Sequence, residues 1–337
     1  SYIQNRFLLC IFNKNKLNFL SENNFIKPQA FHEQPTHRLG GLAIFVPLLL
    51  TCLYLYIYKN ILHFEFISFC TLFFILGLLD DSKIEIKPKF RLLIMISFLL
   101  FLIIGNGVYL EKTGFEFLNK LLEIDIFALF FVCLCFLFII NGSNLIDGYN
   151  GLLSIHTLII LTNLFFVNYF NENNDLAFFI LCIILIITLF LKYNFPKATI
   201  FLGDGGSYFL GALIAISVIK TSITNPTISP FYFCILLFYL FFEVFFSFIR
   251  KIARERISPL FPDKKHLHML IYKYFIKKSK NTLKSNYYVS IVINLIYLIL
   301  IIPAIFMMDN GLFCKYYSLV FFIIYLSVYK ISYEKTK

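Results

Sequence analysis

Three short polar clusters carry the residue types for chemistry in this chain of 337 residues. They are Asp80 with Asp81, the run NGSNLIDGYNG with Asn141, Asn144, Asp147 and Asn150, and FLGDGGS with Asp204. Each sits at the edge of an apolar stretch. Carboxylates that leave room for water and phosphate oxygens are the usual way to hold Mg²⁺. Asp80 and Asp81 follow FFILGLL, so they end a helix whose dipole is already negative there. Something positive must offset them: Lys83, Lys87, Lys89 and Arg91 downstream, or a divalent cation. A solvated pair that only ends the helix is the plainer alternative.

Asp204 precedes a helix expected to start near Gly206, and glycines on both sides permit positive φ and close approach of a ligand. The free N–H groups of a helix start attract anions, so an acid placed there calls for a cation bridging it to a phosphate. A helix cap is the simpler role. Asn141, Asn144, Asp147 and Asn150 recur at intervals of three and would share one helical face, which suits hydrogen bonding to a nucleobase or sugar. In PLFPDKKHLHML, His266 and His268 stand beside Lys264 and Lys265. Two histidines are too few for a zinc site; phosphate contact or proton handling fits them better, with a surface loop of incidental histidines as the alternative.

The elements that position these clusters follow from composition. With 59% hydrophobic residues, 15% charged residues and a mean hydropathy of +0.80, the chain is an integral membrane protein. Apolar runs of roughly 17 to 22 residues, each long enough to span a bilayer, start near Leu42, Phe64, Leu92, Ile126, Leu152, Leu176, Gly206, Pro230, Tyr288 and Leu312. That predicts about ten helices. The runs lack the alternation of a membrane barrel, so the expected fold is all-α, a polytopic membrane helix bundle. The cysteines, Cys133 and Cys135 included, read as small core residues. The first 26 residues are only patchily apolar and begin with Ser, which points to a missing upstream helix, with an interfacial segment as the alternative.

Counting spans from Leu42 puts the start to Gly41, Asp80 to Arg91, Asn141 to Gly151, Lys192 to Gly205, Arg250 to Ser285 and the tail on one side. Asp80 to Arg91 carries four Lys or Arg and Arg250 to Ser285 carries eleven. The opposite loops carry only Lys59, Lys112, Lys120, Lys220 and Lys315. Positive charge marks the cytoplasmic side, and all three acidic clusters share it. The net charge of +11 therefore gathers around them, which favours lipid headgroups and phosphorylated substrates. The expected organisation is an N-terminal segment over residues 1–41, a transmembrane unit over 42–331, and a basic cytoplasmic loop over 250–286 within it.

The stretches PTHRLGG, GLLDD, NGSNLIDGYNGL, Asn194 with FLGDGGS, and PDKKHLH, in this order, resemble the polyprenyl-phosphate N-acetylhexosamine-1-phosphate transferases of glycosyltransferase family 4. HLHML is similar to the branch that primes O-antigen, teichoic acid or capsule synthesis more than to the muramyl-pentapeptide branch. The resemblance implies a bundle of ten or eleven helices, often a homodimer, in the bacterial inner membrane with a cytoplasmic active site. It implies transfer of a sugar 1-phosphate from a UDP-sugar to undecaprenyl phosphate, release of UMP, a need for Mg²⁺ with Mn²⁺ as substitute, and no nucleic-acid partner.

Carried over by motif, Asp204 is implied as the principal metal ligand with Asp81. Asp80 and Asp81 are implied beside the lipid phosphate, with Asp80 as the proton acceptor. Asp147 and Asn144 would line the nucleotide site with Asn141 and Asn150, Asn194 would approach the uracil, Lys89 and Arg38 would contact substrate, and His266 and His268 would hold phosphates. Relatives commonly have a further Asp or Lys where Ile84 stands, Asp at Asn150, and Asp at Glu243. Direct attack by the lipid phosphate and a covalent aspartyl intermediate both remain open. A transporter of an anionic solute is the rival from another class, although transporters place ionisable residues near the midplane. An inactive scaffold relative is a third reading.

Overall fold

The computed structural model describes residues 37–82, 86–256, 258–259 and 263–337. The expected upstream helix, Pro35 and Thr36 of the first motif, and Lys83, Ile84 and Glu85 lie outside the described residues. The remainder is helical: α1 (Gly40–Lys59), α2 (Phe64–Asp81), α3 (Pro88–Asn106), α4 (Glu116–Leu122), α5 (Asp125–Ile146), α6 (Leu152–Phe170) and α7 (Asn174–Asn194) come first. They are followed by α8 (Gly203–Thr224), α9 (Pro230–Leu236), α10 (Phe238–Ile249), a π-helical turn (Arg250–Glu255), α11 (Leu267–Ser279), α12 (Thr282–Phe306) and α13 (Gly311–Thr336).

Among the described residues, eight helices are long and apolar enough to cross a membrane, and α9 with α10 forms a ninth span broken by a 73° bend. The tenth expected span is α2, whose 18 residues carry Glu65 at one end and Asp80 and Asp81 at the other. The chain is a multi-pass membrane bundle. The predicted run from Pro230 is the one that differs in shape, because the helix breaks at Leu237. The break leaves the Leu236 carbonyl without its helical donor, and the Tyr297 hydroxyl donates to it instead. A backbone acceptor buried in apolar surroundings is costly unless so satisfied.

At the centre stands α8, buried along 83% of its apolar window. Its small residues, among them Gly205, Gly206, Ser207, Gly211 and Ala212, let neighbouring backbones approach, as is usual where membrane helices pack without a hydrophobic driving force. The approach is tightest at Gly77 of α2, where a Cβ would lie 2.2 Å from the Asp204 carbonyl oxygen. Beside it, residues 37–41 pair with 200–202: Phe201 N–H donates to the His37 carbonyl at 3.0 Å, and Gly40 N–H to the Phe201 carbonyl at 2.8 Å. This strap joins the entry to α1 with the entry to α8.

At the far end of the bundle, Lys220 pairs with Glu65 at 2.6 Å. There too, Asn168 donates to the Thr221 hydroxyl at 2.8 Å. The expected basic loop over 250–286 is largely ordered secondary structure, holding the π-turn, α11 and the first residues of α12.

Candidate active site

Alternating helices bring the end of α2, the end of α5, the start of α8 and the start of α11 to the same end of the bundle. Asp81, the last residue of α2, is only 7% exposed. Its Oδ2 accepts the Gly205 N–H at 2.9 Å and its Oδ1 faces the Arg38 guanidinium at 3.3 Å. The carboxylate thus caps α8 from another helix, satisfying a free first-turn donor with negative charge at the positive end of the dipole. Gly203 makes this fit by taking φ +73°, and a Cβ there would meet Asp81 Oδ2 at 2.5 Å. The helix therefore starts at Gly203, one turn before the expected Gly206.

Asp80 is met by Arg91 of α3 at 3.2 Å, and the same guanidinium lies 5.9 Å from the centre of the Tyr208 ring. The two adjacent acids are therefore offset by one arginine each. Arg91 was among the expected partners. Arg38, expected to contact substrate, is engaged by Asp81, whereas Lys89 in the first turn of α3 is exposed.

Asp204 occupies the first turn of α8. Asn144 donates to its Oδ1 at 2.9 Å and to Ser207 Oγ at 2.9 Å. So Asn144 reaches the acid as well as the neighbouring groups, while Asn141, three residues earlier, turns back onto the Leu137 carbonyl at 2.8 Å. Asp147 sits at the C-cap of α5, half-buried.

The other two amides are fixed by backbone. Asn194 accepts the Gly151 N–H at 2.9 Å and donates to the Ile200 carbonyl at 3.0 Å. Asn150 donates to the Pro196 carbonyl at 2.9 Å, and its own N–H goes to Asn286 Oδ1 at 2.8 Å. Both are buried. They pin the 147–151 turn to the 195–202 segment and to α12, shaping the site from behind it.

His266 and His268 come together, with parallel rings 5.6 Å apart, and both are buried rather than displayed on a loop. They converge on Glu243 of α10: His266 Nδ1 lies 3.2 Å from Oε2, and His268 Nδ1 lies 4.0 Å from Oε1. Burial pushes the His268 imidazole down to about 4. Asp263 is held by Arg250 at 2.9 Å, Lys251 at 3.4 Å and the Lys265 N–H at 2.8 Å. Its burial favours the neutral acid, but His266, that N–H and Arg250 together hold its carboxyl at about 2. Lys265 and Arg250 also bond Glu255, so much of the basic segment is internally paired. The His268 ring packs edge-on against Tyr149 at 5.7 Å, which joins this segment to the amide run.

In the sequence Glu243 stands out only as a charge in an apolar run and as a position where relatives commonly have Asp. Its place between two histidines required the fold of the segment that follows, and no local pattern announces it. Asp263 lay inside a motif that drew attention to its histidines and lysines instead.

A divalent cation fits this donor set. Among the described residues Asp204 forms no ion pair and is bonded by an amide, while two more carboxylates stand close by. Among the described residues no group of three or more acid, imidazole or thiol side chains converges to hold a metal ion; Mg²⁺ held by one or two carboxylates together with water and phosphate oxygens needs fewer protein ligands than that.

A family model described as glycosyl transferase family 4 matches residues 63–222, which spans Asp80, Asp81, the amide run and Asp204. A probable undecaprenyl-phosphate N-acetylglucosaminyl 1-phosphate transferase of Bacillus subtilis is 30% identical over 70% of this chain and 66% of its own length, just under two thirds. An undecaprenyl-phosphate alpha-N-acetylglucosaminyl 1-phosphate transferase of Thermotoga maritima is 29% identical over 72% of this chain and 74% of its own. A phospho-N-acetylmuramoyl-pentapeptide-transferase of Caldicellulosiruptor bescii is 27% identical over 72% and 78%.

Proposed function

Since the chain belongs to glycosyl transferase family 4, we propose that it moves a sugar 1-phosphate of the N-acetylhexosamine type from a UDP-sugar onto undecaprenyl phosphate. UMP is released, and the product starts a cell-surface polysaccharide at the cytoplasmic face of the inner membrane. One observation carries this reading: Asp81 meets the backbone of α8 while Asn144 meets Asp204, so acids and amides from three helices form one cluster beside a basic segment. Two phosphate groups need such a place at a water–lipid boundary.

In the proposed reaction an oxygen of the lipid phosphate attacks the β-phosphorus of the donor, a P–O bond forms, and the bond to UMP breaks. Asp204 with Asp81 would hold Mg²⁺, which would offset the diphosphate charge and ease departure of UMP. Asn144 orients the Asp204 carboxylate. Asp80, steadied by Arg91, would be the proton acceptor for the lipid phosphate, and exposed Lys89 is available to an incoming phosphate. The buried residues Asn150, Asn194 and Asp81 fix the backbone that these groups stand on, and in-line transfer depends on that positioning.

The test is UMP release from purified protein in lipid with undecaprenyl phosphate, Mg²⁺ and a panel of UDP-sugars. Release that requires lipid and metal and disappears in Asp204→Asn supports the transferase and identifies the sugar. Absence of UMP with every donor would reject it and turn attention to transport.

A further inference from the structure

Glu243 lies in the middle of a broken membrane span, among Phe238, Tyr239, Phe242 and Phe246, and is 1% exposed. A carboxylate in such surroundings persists only when its oxygens are satisfied. Both are satisfied by one turn of chain: the Leu267 N–H, the first of α11, donates to Oε1 at 3.1 Å, and His266 Nδ1 lies 3.2 Å from Oε2. His266 is the N-cap residue of α11, yet its side chain does not cap its own helix. The carboxylate of another helix does so.

We infer that Glu243 is a positioning residue for the proposed transfer, locking the 263–268 turn against α10 and orienting the His266 ring. The second role follows from what the ring lies between: Nδ1 is 3.2 Å from Glu243 Oε2 and Nε2 is 3.6 Å from Asp263 Oδ1. Ionised carboxylates only accept, so a partner on each side fixes the plane of the imidazole.

The same arrangement orders the turn at its other end. Arg250 and Lys251, in the π-turn that continues α10, grip Asp263. One continuous element, α10 with its π-turn, therefore contacts both ends of a six-residue turn, Asp263 to His268. His268, second in α11, has its Nδ1 beside the same carboxylate and the Tyr239 hydroxyl at 3.5 Å. Tyr239 packs in turn on His156 of α6, ring to ring at 5.4 Å, so the histidines are backed by a polar column reaching into the bundle.

The inference rests on the transferase reading for its consequence in turnover, but its geometric half can be measured alone. In Glu243→Gln the amide oxygen can still accept the Leu267 N–H, but the negative charge that faces His266 Nδ1 is gone. The experiment follows hydrogen exchange of the full chain in lipid alongside UMP release. The expected result in Glu243→Gln is faster exchange at residues 263–268 than in the unsubstituted protein, with the other helices unchanged, and kcat for UMP release falling on the order of 10²-fold while KM for the UDP-sugar changes much less. Glu243→Asp keeps the charge and is expected to show a smaller rise in exchange and a smaller loss of kcat, which covers the case of a Gln variant that does not fold. Unaltered exchange at residues 263–268 in folded Glu243→Gln, or losses in Glu243→Asp equal to those in Glu243→Gln, would overturn the inference. If no UMP is formed by the unsubstituted protein, the transferase reading fails while the exchange still decides whether Glu243 holds the turn.

Discussion

The Asp81 carboxylate accepts the Gly205 N–H at 2.9 Å although 124 residues separate them. This bond ties the end of one span to the start of another and sets where Asp204 points. Replacing Asp81 by Asn keeps an acceptor for Gly205 but leaves Arg38 facing an uncharged group. The expected cost is roughly 1–3 kcal/mol of stability, read as a lowered midpoint in thermal unfolding in detergent. UMP release should fall far more than that loss of folded protein explains.

Gly77→Ala should be among the most damaging single-methyl changes in the chain. The added Cβ would sit 2.2 Å from the Asp204 carbonyl oxygen and 2.4 Å from its carbon, so α2 and α8 must part. Overpacking of this kind costs about 1–3 kcal/mol, and displacement of Asp204 by even about 1 Å should lower turnover on the order of 10²-fold. Gly105→Ala is the control, since nothing lies within 4 Å of its added methyl; equal behaviour of the two variants would refute the close approach.

Asn194→Ala should strand the Gly151 N–H and the Ile200 carbonyl, which Asn194 now satisfies. An unpaired buried donor costs about 1–3 kcal/mol. Hydrogen exchange should quicken at residues 147–151 ahead of the rest of the bundle. If Asn194 instead met only substrate, exchange in the ligand-free variant would match that of the unsubstituted protein.

The pH dependence of stability has a direction set by His268. Burial holds its imidazole at about 4, below the ordinary value of about 6.5, so the unfolded chain takes up the proton first on acidification. The stability from keeping this ring neutral is complete above pH 6.5 and drains away as pH falls toward 4. Over that window His268→Gln should lose stability less steeply than the unsubstituted chain, by a total of roughly 2–4 kcal/mol. Asp263, held at about 2, acts in the acidic window below the ordinary carboxylate range. Its contribution is present above about 3.9 and is lost as pH falls toward 2, so the two effects separate in a pH series of unfolding midpoints.

Much of this was legible in the chain itself. Leucine- and phenylalanine-rich runs fixed the spans, and the placing of Asp80 and Asp81 at a helix end and of Asp204 at a helix start followed from their borders. What was not legible depends on partners remote in sequence. Arg38 looks like a free cation until the strap at residues 200–202 sets it against Asp81. Asn150 and Asn194 look like ligand amides because nothing local says that their partners are backbone groups of other segments. The break at Leu237 has no Pro or Gly to announce it, since the Tyr297 hydroxyl supplies its compensation from another helix. Hydropathy sees the length of a run and not the bonds that let it bend.

The long reach of the Asp81–Gly205 bond also sets an order of events during synthesis. With elongation at 5–20 residues per second, Gly205 leaves the ribosome roughly 6 to 25 s after Asp81, and the strap at residues 37–41 waits longer still for residues 200–202. Through that interval Asp80 and Asp81 stand at the end of an inserted helix before the Gly205 N–H has reached Asp81 and before the strap has set Arg38 against it. A nascent chain halted before α8 would therefore carry its acids without the backbone donors that finally bind them. The site closes only when its central helix arrives, and a truncated product has no partly working form to offer.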